Sequence, residues 1–504
     1  MLPIYRQEDI EAFDRSLSAG GLLEEAISRA GFSVFSLARQ LLGGMYGKRV
    51  AVIFGPGNNG RDALVAARHM RSVGAVVSEL RYGSDEYFQR SSFAGVDLVV
   101  DGCFGVGLSR AFSPPPLDKQ TPVLAVDIPS GLDGSRGSIV GAAMHATATL
   151  NLSGLKTGAV ISDGPEHCGD LYLSELGLGE VGPPRMKEFL VEDSDLATIA
   201  FGRSRKDHKW SHSVAVIAGS PGMDGAAHLA CTSGYYVGAG IVHLYTDTSG
   251  RQGDYGIETV VHSVDLAILN DESLRDFFGG LAKRFKSLVI GPGLGLGSEV
   301  RRVVEAAIRC KVRTVIDADA ITSIPSTDWL SELVDVSHPG VILTPHRGEL
   351  MALLNRSGNS DLKDNLQTDL CSFVRRFTEQ TGTTLLVKGG PTLVGSSDGS
   401  CYITTAPDAS LAVAGSGDVL AGIIGAALSY EGDVARLTAA AAHLHGLAGR
   451  LMRKGPSGDI ARMAREVLLR FEDSHGQRRQ SNFLKPTIIG GNLVASLRLV
   501  GDHS

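Results

Sequence analysis

The stretch Arg49–Gly74, RVAVIFGPGNNGRDALVAARHMRSVG, decides the fold of the first half of this 504-residue chain. An apolar run typical of a buried strand meets a glycine-rich turn, and an amphipathic helix follows. Further strand-like runs end in polar or glycine-rich residues, as parallel strands do at the edge that carries a site. These runs are Val76–Leu80, Val96–Asp101, Val123–Ile128 and Ala148–Asn151. We predict a doubly wound α/β domain, preceded by a helical stretch over about residues 7–44.

A second series of strand, turn and helix patterns occupies the other half of the chain. It runs through SVAVIAGSPGMDGAA, SLVIGPGLGLG, RTVIDADAI, GVILTPHRGELMALL, TLLVKGGPTLVG and AVAGSGDVLAGIIGAAL. Between about residues 180 and 210 the chain is irregular and charged, which is typical of a linker. Because 504 residues exceed one ordinary core, we predict domains at 1–200 and 201–474, with the boundary near Phe201 and a tail at 475–504 to which we assign no role.

The composition narrows the classes of partner. With 43% hydrophobic residues, 20% charged residues and a formal charge of −7, the chain gives no sign of nucleic-acid or membrane partners. The six cysteines lack CxxC or zinc-ligand spacing, so we expect reduced core thiols and a cytoplasmic protein. No apolar run of ~18 residues predicts a membrane helix, and the acidic start does not resemble a signal peptide. We expect small, nucleotide-like substrates and a homo-oligomer.

The turn GPGNNGRD, Gly55–Asp62, satisfies the pattern G-x-G-x-x-G, and Glu79 lies where a ribose-binding acid of a dehydrogenase would fall. Asn58 and Asn59 nevertheless crowd a turn that should admit a pyrophosphate, and Asp62 would oppose a phosphate at the helix start. A Walker loop also fails, because Arg61 and Asp62 replace Lys and Ser/Thr. Two interpretations stay open: an oxygen-rich polar site, or a tight turn in which Asp62 is only a helix N-terminal charge.

Polar side chains also follow two later strands. Asp101 lies in VVDGCFGVGLSRA, and Asp127 and Ser130 lie in AVDIPSGLDG. Each aspartate alone is typical of a simple turn cap, but oxygens that converge at one sheet edge suit a hard cation, and Asp127 suits acid–base chemistry. Lys156, in NLSGLKTG, is either an anion-stabilising group or an ordinary surface lysine.

The second half contains AGSGDVLAG, Ala414–Gly422. Gly415 and Gly417 let backbone N–H groups face an anion at the start of an apolar helix, whose dipole favours phosphate. Asp418 would lie beside a transferring phosphoryl group and accept a proton from an attacking hydroxyl. The alternative is a helix-capping aspartate.

Other strand ends surround this motif in the predicted sheet. Lys388–Thr392, KGGPT, offers a lysine, backbone donors and a hydroxyl for nucleotide phosphates, and TPHRGEL adds His346 and Glu349. His346 alone is also consistent with a helix-start residue. The turns at Gly291–Gly295 and Asp317–Ile321 indicate little about function by themselves. The order of all these motifs along the chain indicates more than any one of them.

The first half resembles the NAD(P)H-hydrate epimerase family over about residues 1–180, through GPGNNGRDALVAARH, DGCFGVG, VDIPSGLDG and LKTG. The resemblance implies a Rossmann-like three-layer fold, a K⁺ ion bound by Asn59, Asp101 and Ser130, and Asp127 as a catalytic residue. It implies hydrate binding by Asn58, Asn59, Gly60, Arg61, Asp62, Gly105, Val106, Gly107, Leu108, Ser109, Arg110, Ala111, Asp127 and Lys156. The family usually has Gly where this chain has Arg61, and the longer side chain is expected to narrow the pocket.

The second half, over about residues 205–470, resembles the ADP/ATP-dependent NAD(P)H-hydrate dehydratase family through the order of its motifs, from HKW to AAHLHGLAG. The resemblance implies a ribokinase-like α/β domain, with ADP or ATP as phosphoryl donor, Mg²⁺, and Asp418 as the catalytic base. The resemblance also implies nucleotide binding by Lys388, Gly389, Gly390, Pro391, Thr392, Gly415, Ser416 and Gly417. It implies hydrate binding by Ala226, Gly293, His346 and Asp418.

The tandem arrangement predicts repair of hydrated cofactor: epimerisation of R and S NADHX or NADPHX, then dehydration of the S epimer to NAD(P)H. A different function is a ribokinase-like small-molecule kinase whose N-terminal domain is a non-catalytic binding or scaffold module, since fold does not fix function.

Overall fold

The computed structural model describes residues 1–89, 92–108, 110–117, 120–178, 187–247, 257–266, 268–334, 340–407, 409–481 and 498–499. The chain forms two compact units. The N-terminal unit begins at Pro3 and ends at Glu188, and the C-terminal unit continues from Phe189 and also includes Met1–Leu2. Each unit is an α/β structure built on a sheet with a parallel core, so the predicted α/β class is confirmed.

The N-terminal elements follow one another as strand, helix and strand. Their bounds are β1 Leu2–Tyr5, α1 Gln7–Ala19, α2 Leu23–Leu41, β2 Arg49–Phe54, α3 Asn58–Ser72, β3 Val76–Arg81, α4 Asp85–Gln89, β4 Leu98–Gly102, β5 Val123–Val126, β6 Ala148–Leu152, β7 Leu155–Lys156, α5 Gly164–Cys168 and β8 Asp170–Ser174. The strands of the main sheet lie in the order β8-β6-β5-β4-β2-β3, and all these pairs are parallel.

The strand predictions for this unit agree with the structure to within two residues at each end, but the opening helical stretch is two helices. The chain breaks between α1 and α2 at Gly20–Leu22, where Gly21 has φ +71°, a conformation that glycine adopts without a steric penalty. Strand β5 ends at Val126, two residues earlier than predicted, because Asp127 has φ +70° and leaves the extended conformation.

The C-terminal elements form a longer series. Their bounds are β9 Glu188–Leu190, α6 Ala197–Phe201, β10 Ser213–Ile217, α7 Asp224–Tyr236, β11 Ile241–Thr246, β12 Val260–Ser263, α8 Asp271–Arg284, β13 Ser287–Ile290, α9 Ser298–Arg309, β14 Arg313–Ile316, α10 Asp319–Thr322, α11 Thr327–Leu333, β15 Val341–Leu343, α12 Arg347–Ser357, α13 Ser360–Thr368, α14 Leu370–Thr381, β16 Thr384–Val387, β17 Thr392–Gly395, β18 Cys401–Thr404, α15 Ser416–Ala427, α16 Val434–Met452 and α17 Ser457–Ser481.

The C-terminal sheet runs β12-β11-β10-β13-β14-β15-β16 in parallel and continues antiparallel through β17 and β18. Helix α15 consists almost entirely of small and apolar residues and is buried along its length, packed against α7. Its N-terminus therefore has a fixed position relative to the carboxyl ends of the central strands, where ligands bind in open α/β sheets.

The compact units divide after Glu188, earlier than the predicted boundary near Phe201. The reason is packing, since Val191, Leu196 and Ile199 are buried in the core of the C-terminal unit. The predicted tail also begins differently, because α17 continues to Ser481, and a short strand β19, Arg498–Leu499, pairs antiparallel with β8. In the part of the chain that the structure describes, no helix has the length and apolar character needed to cross a membrane.

Candidate active sites

The N-terminal unit has a pocket that opens between the carboxyl edge of its sheet and the helices α1 and α2. Sequence-predicted residues meet in its lining: Asn58, Asn59, Asp62, Val106, Asp127 and Lys156. Helices α1 and α2 add Asp14 and an apolar wall, which includes Leu17, Leu23 and Ile27. The pocket therefore combines an apolar face with several ionisable groups, as small-molecule sites do.

A buried ion pair joins Asp127 to Lys156 in this pocket. The Lys156 ammonium donates to Oδ1 of Asp127, and also to the carbonyl oxygens of Leu152 and Gly154 at 2.7 and 3.0 Å. Asp127 Oδ1 also accepts a hydrogen bond from the backbone N–H of Leu152 at 3.1 Å. Lys156 is 0% exposed, so the interpretation of an ordinary surface lysine is wrong. A charge buried this deeply is stabilised only by such partners.

Asp62 is a second carboxyl group of the pocket, and its environment differs from that of Asp127. It is the fifth residue of α3, it is 5% exposed, and its Oδ1 has no hydrogen-bond partner. Burial, followed by the charges of Asp127 and Asp14, raises the pKa of Asp62 to about 8. Asp62 is therefore a buried protonated acid at neutral pH, and the interpretation of a helix N-terminal charge is wrong.

Asp14 comes from α1 and lies beside Asn58, whose Nδ2 donates to its Oδ2 at 3.4 Å. Burial and then the charge of Asp127 raise the pKa of Asp14 as well. The sequence analysis did not identify Asp14, because an aspartate in an amphipathic helix, 44 residues from Asn58, carries no local signal for a site.

Asn59, Asp101 and Ser130 come together around the carbonyl oxygen of Phe104. Ser130 Oγ donates to Asp101 Oδ1 at 2.7 Å, and Asn59 Nδ2 lies 3.3 Å from the Phe104 oxygen and 2.8 Å from that of Val126. Asp101 is fully buried, which raises its pKa. Carboxylate, amide, hydroxyl and carbonyl oxygens are donors that suit a hard monovalent cation. The residues present therefore fit K⁺.

Arg61 points away from the pocket. Its guanidinium donates to both carboxylate oxygens of Glu24 on α2, at 2.6 and 2.8 Å, and it is not among the described residues that line the pocket. The expected narrowing by Arg61 is therefore absent from the described part of the site. Glu79 likewise pairs with Arg71 on the surface, which leaves it no role as a ribose-binding acid.

The remaining predicted residues of the first site are placed around the pocket. Gly60 packs against the turn, where an added Cβ would lie 2.1 Å from the Gly55 oxygen, and Gly105 packs against the Asn59 amide. The Arg110 guanidinium lies over the Phe104 ring at 5.4 Å. Six of these predicted hydrate-binding residues are described by the structure but do not line the pocket: Gly60, Gly105, Gly107, Leu108, Arg110 and Ala111. Ser109 lies outside the described residues.

The C-terminal unit has a larger cavity of about 790 Å³ at the N-terminus of α15. The predicted nucleotide residues that line it are Lys388, Gly389, Gly390, Thr392, Ser416 and Gly417. The other lining residues are mostly apolar and include Pro407, Leu411, Val413, Leu420 and Ala442. The volume lies within the range of small-molecule sites, and the walls suit a flat base at one end and phosphates at the other.

Lys388 is held over the start of α15. Its Nζ lies 2.5 Å from Oδ1 of Asp317, which also accepts from the Thr344 hydroxyl at 2.7 Å. A Cβ added to Gly417 would lie 3.1 Å from this ammonium. Gly415, the N-cap of α15, has φ +85°, a conformation that glycine adopts without a steric penalty, and the N–H groups of a helix N-terminus favour an anion. The lysine and the helix terminus together form an anion site.

Asp418 is the third residue of α15, whose N-cap is Gly415. Burial, and then the charge of Asp317, raise the pKa of Asp418 to about 6. A carboxylate with that pKa is mostly ionised at neutral pH yet basic enough to accept a proton. Asp418 is also an acidic residue in the first turn of α15, so the structure agrees with both interpretations of this residue.

Of the four predicted hydrate residues of the C-terminal unit, His346 lines the cavity, whereas Ala226, Gly293 and Asp418 are not among the described residues that line it. Gly293 has φ +59°, and an added Cβ would lie 3.1 Å from Cβ of Ala226. His346 is the N-cap of α12 and accepts from the backbone N–H groups of Gly348 and Glu349, so the helix-start interpretation describes it correctly. Burial raises the pKa of the neighbouring Glu349.

The sequence analysis missed two residues of the second site. Asp317 lies in the DADA turn, which offered a strand-end acid as a signal, and it pairs with Lys388 only through the folded sheet. His445, in AAHLHGLAG, lies 3.2 Å from the Ser416 hydroxyl and 3.1 Å from the Ser416 carbonyl oxygen. Burial lowers the pKa of His445 to about 4, so it is neutral. A histidine in an alanine-rich buried helix was the available signal.

Two family models match the chain. The model described as NAD(P)H-hydrate dehydratase matches residues 214–466, and the model described as YjeF-related protein N-terminus matches residues 23–91 and 81–158. Together they cover the main elements of both units, in the order that the sequence predicted.

Curated relatives match along both units. The bifunctional NAD(P)H-hydrate repair enzyme Nnr of Moorella thermoacetica is 31% identical over 496 residues, which covers 87% of this chain and 91% of the relative. The enzyme of the same name from Mycobacterium tuberculosis is 30% identical, with 82% and 85% of the two chains covered. Among solved structures, the ADP/ATP-dependent NAD(P)H-hydrate dehydratase of Bacillus subtilis with ATP and Mg²⁺ is 23% identical at a TM-score of 0.44, covering 54% of this chain and 94% of that one.

The identity of the full-length relatives, the extent of each chain that is covered, and the order of the two family models all agree with the motifs and the two sites. The chain belongs to the family of bifunctional NAD(P)H-hydrate repair enzymes.

Proposed function

We propose that the N-terminal unit interconverts the R and S epimers of NADHX or NADPHX, and that the C-terminal unit dehydrates the S epimer with ADP or ATP as phosphoryl donor. The observation that carries the proposal is the placement of Lys388 in a cavity of about 790 Å³ at the N-terminus of α15, the helix whose third residue is Asp418.

Dehydration requires activation of the C6 hydroxyl of the hydrate, because hydroxide is a poor leaving group. Asp418 accepts the hydroxyl proton, and the oxygen then attacks the terminal phosphoryl group of the nucleotide. Lys388 and the N–H groups at residues 415–417 stabilise the charge on the transferring group. Phosphate leaves from C6 as the ring nitrogen supplies electrons, which forms a C6=N1 iminium ion. Loss of the proton from C5 then forms the C5=C6 double bond, so the products are NAD(P)H, phosphate, a proton and AMP or ADP.

The adenine end of the nucleotide is assigned to the apolar wall that includes Leu411 and Leu420, with the phosphates at 388–392 and 415–417. His445 fixes the Ser416 main chain and hydroxyl at the entrance to this phosphate site. Ala226, Gly293 and His346 are assigned to the hydrate. Gly293 and Ala226 are adjacent, and a Cβ added to Gly293 would also lie 2.9 Å from Cβ of Met223, so the two segments pack closely at this position.

Mg²⁺ would neutralise charge on the nucleotide phosphates during transfer. Among the described residues no group of three or more His, Cys, Asp or Glu is arranged to hold a metal ion, which suits a cation carried mainly by the nucleotide. In the N-terminal unit, Asn59, Asp101 and Ser130 would hold K⁺, which would order the turn after β4 at the pocket.

The sequence also predicts a cytoplasmic location and assembly as a homo-oligomer, and both stay predictions. The six cysteines are free thiols in the structure, as a reducing compartment requires.

Recovery of NADH absorbance from a mixed R/S NADHX sample, with Mg²⁺, K⁺ and either ADP or ATP, tests both activities in the full chain. We expect complete recovery. Recovery of the S fraction alone would remove the epimerase from the proposal. No recovery with either nucleotide, together with a stable phosphorylated product, would favour the small-molecule kinase.

A further inference from the structure

The pocket of the N-terminal unit contains two carboxyl groups in opposite electrostatic situations. Asp127 is paired with the ammonium of Lys156 and accepts the Leu152 N–H. Asp62 is 5% exposed, and among the described residues it has no cationic partner within salt-bridge distance and no hydrogen-bond donor to its Oδ1. The nearest cation in its own helix turn, Arg61, is engaged by Glu24. The fold therefore pairs Asp127 with a cation and buries Asp62 beside the carboxyl groups of Asp127 and Asp14, which favours the neutral form of Asp62.

A buried carboxyl oxygen without a partner is costly, and such an atom that lines a pocket indicates a ligand that completes it. The groups that face Asp62 are Asp14 from α1, Asp127 after β5, Lys156 in β7 and Arg61 in α3 itself. The two carboxyl groups oppose the ionisation of Asp62. The two cations are paired with other carboxylates, Lys156 with Asp127 and Arg61 with Glu24.

Epimerisation of the hydrate needs a base and an acid at the same time if the ring opens. C6 carries the ring nitrogen and the hydroxyl but no adjacent carbonyl, so its C–H bond is not acidic enough for direct removal of that proton. Opening the C6–N1 bond instead requires loss of the hydroxyl proton and gain of a proton at N1.

We propose that Asp62 is the catalytic acid of ring opening, acting opposite Asp127 as base, an inference that rests on the proposed epimerase function. Asp127 takes the proton of the C6 hydroxyl, and the O–H electron pair forms the C=O bond of an aldehyde. The C6–N1 bond breaks, and its electron pair accepts the proton of Asp62 to form N1–H. Rotation about C5–C6 exposes the other face of the aldehyde.

Closure reverses these transfers. N1 attacks C6 and returns its proton to Asp62, while Asp127 returns the hydroxyl proton to the oxygen. The step needs no oxidant, reductant or added water, and the hydrogen on C6 stays in place throughout. Burial and the two neighbouring carboxyl groups raise the pKa of Asp62 to about 8, which keeps the acid protonated at neutral pH.

The test follows epimer exchange in the full-length enzyme without nucleotide, from separated (6R)-NADHX, by chromatography of the two epimers across pH 5.5–9.5. Wild type should lose activity as pH rises through about 8, because Asp62 then loses its proton. Asp62→Asn should lower kcat by about 10²-fold or more and abolish this limb of the profile. Asp85→Asn, the same change at an exposed position of α4, is the matched control and should match wild type.

A second variant separates catalysis from a structural role. Asp14→Asn removes a negative charge that raises the pKa of Asp62, so the alkaline limb should move to lower pH while Asp62 is still present. An Asp62→Asn enzyme with the wild-type kcat and an intact alkaline limb would overturn the proposal, as would an unmoved limb in Asp14→Asn.

Exchange in D₂O tests the bond that breaks. Ring opening predicts epimers without deuterium at C6, and deuterium incorporation there would overturn the proposal. If wild type does not exchange the epimers at all, while NADH still forms from the S epimer, the epimerase function itself fails. Loss confined to Asp62→Asn with retained thermal stability supports the inference.

Discussion

The ammonium of Lys388 lies 2.5 Å from the carboxylate of Asp317, directly above the first turn of α15. Asp317 directly follows β14, and Lys388 directly follows β16, so the pair bridges two strand ends of the C-terminal sheet. The carboxylate is 1% exposed and also accepts the Thr344 hydroxyl. The pair therefore fixes the lysine before any phosphate arrives, which reduces the ordering cost of binding.

Asp317→Asn should raise the KM for ADP or ATP by about tenfold or more, because a charge-assisted hydrogen bond that orients Lys388 is weakened by ~1.4 kcal/mol or more. Steady-state dehydration of S-NADHX measures the effect. Epimer exchange in the same preparation is the control and should not change. An unaltered nucleotide KM would show that Lys388 needs no orientation by Asp317.

Asp418→Ala should lower dehydration by about 10²–10⁴-fold, since it removes the proposed base. The N-terminal unit should still exchange the epimers. Asp418→Asn, which keeps the size of the side chain, serves as the matched variant and should be as inactive as alanine. Retained dehydration in either variant would remove Asp418 from the role of base.

The kcat/KM of dehydration should fall as pH decreases through about 6, the raised pKa of Asp418. The sign follows from the mechanism, because the base must be ionised and is protonated below its pKa. The profile is measured by NADH absorbance with a saturating nucleotide concentration. Activity that is constant down to pH 5 would contradict the assignment.

Asp127→Ala should slow epimer exchange by about 10²-fold or more without affecting turnover of the S epimer. It also leaves Lys156 buried without its partner, at a cost of about 3–5 kcal/mol in the free energy of unfolding. The double variant Asp127→Ala with Lys156→Met removes both charges, so it should recover thermal stability but not exchange. Recovery of exchange in the double variant would show that neither charge takes part in the reaction.

Gly417→Ala should weaken nucleotide binding, because the added Cβ would come 3.1 Å from Nζ of Lys388 and displace it. A cost of about 1 kcal/mol or more corresponds to about fivefold or more in Kd. Gly279→Ala is the matched control, since its Cβ meets no atom within 4 Å in α8 and alanine favours the helix. Calorimetric titration with ADP measures both, and equal affinity in the two variants would contradict the prediction.

Local patterns determined the α/β class, the order of the motifs and the positions of the strands, since periodicity and turn chemistry act over a few residues. The family membership that the motifs predicted is confirmed by the curated relatives and the family models. The break between α1 and α2 at Gly20–Leu22 coincides with a glycine pair in the sequence, which the prediction of a helical stretch over about residues 7–44 did not use.

Packing between distant segments decided the rest. Asp14 and Asp62 share a pocket because α1 covers the edge of the sheet, and Lys156 is buried because β7 turns its side chain toward Asp127. Arg61 turns away from the site because Glu24 on α2 binds it. Such contacts join residues tens of positions apart, and the burial that they cause changes pKa values. Local sequence patterns therefore identify the ionisable side chains but do not predict which of them are charged. The sequence by itself determined which chemistry the chain carries, and the tertiary structure decided which carboxyl group keeps its proton, because desolvation depends on what surrounds each group in the fold.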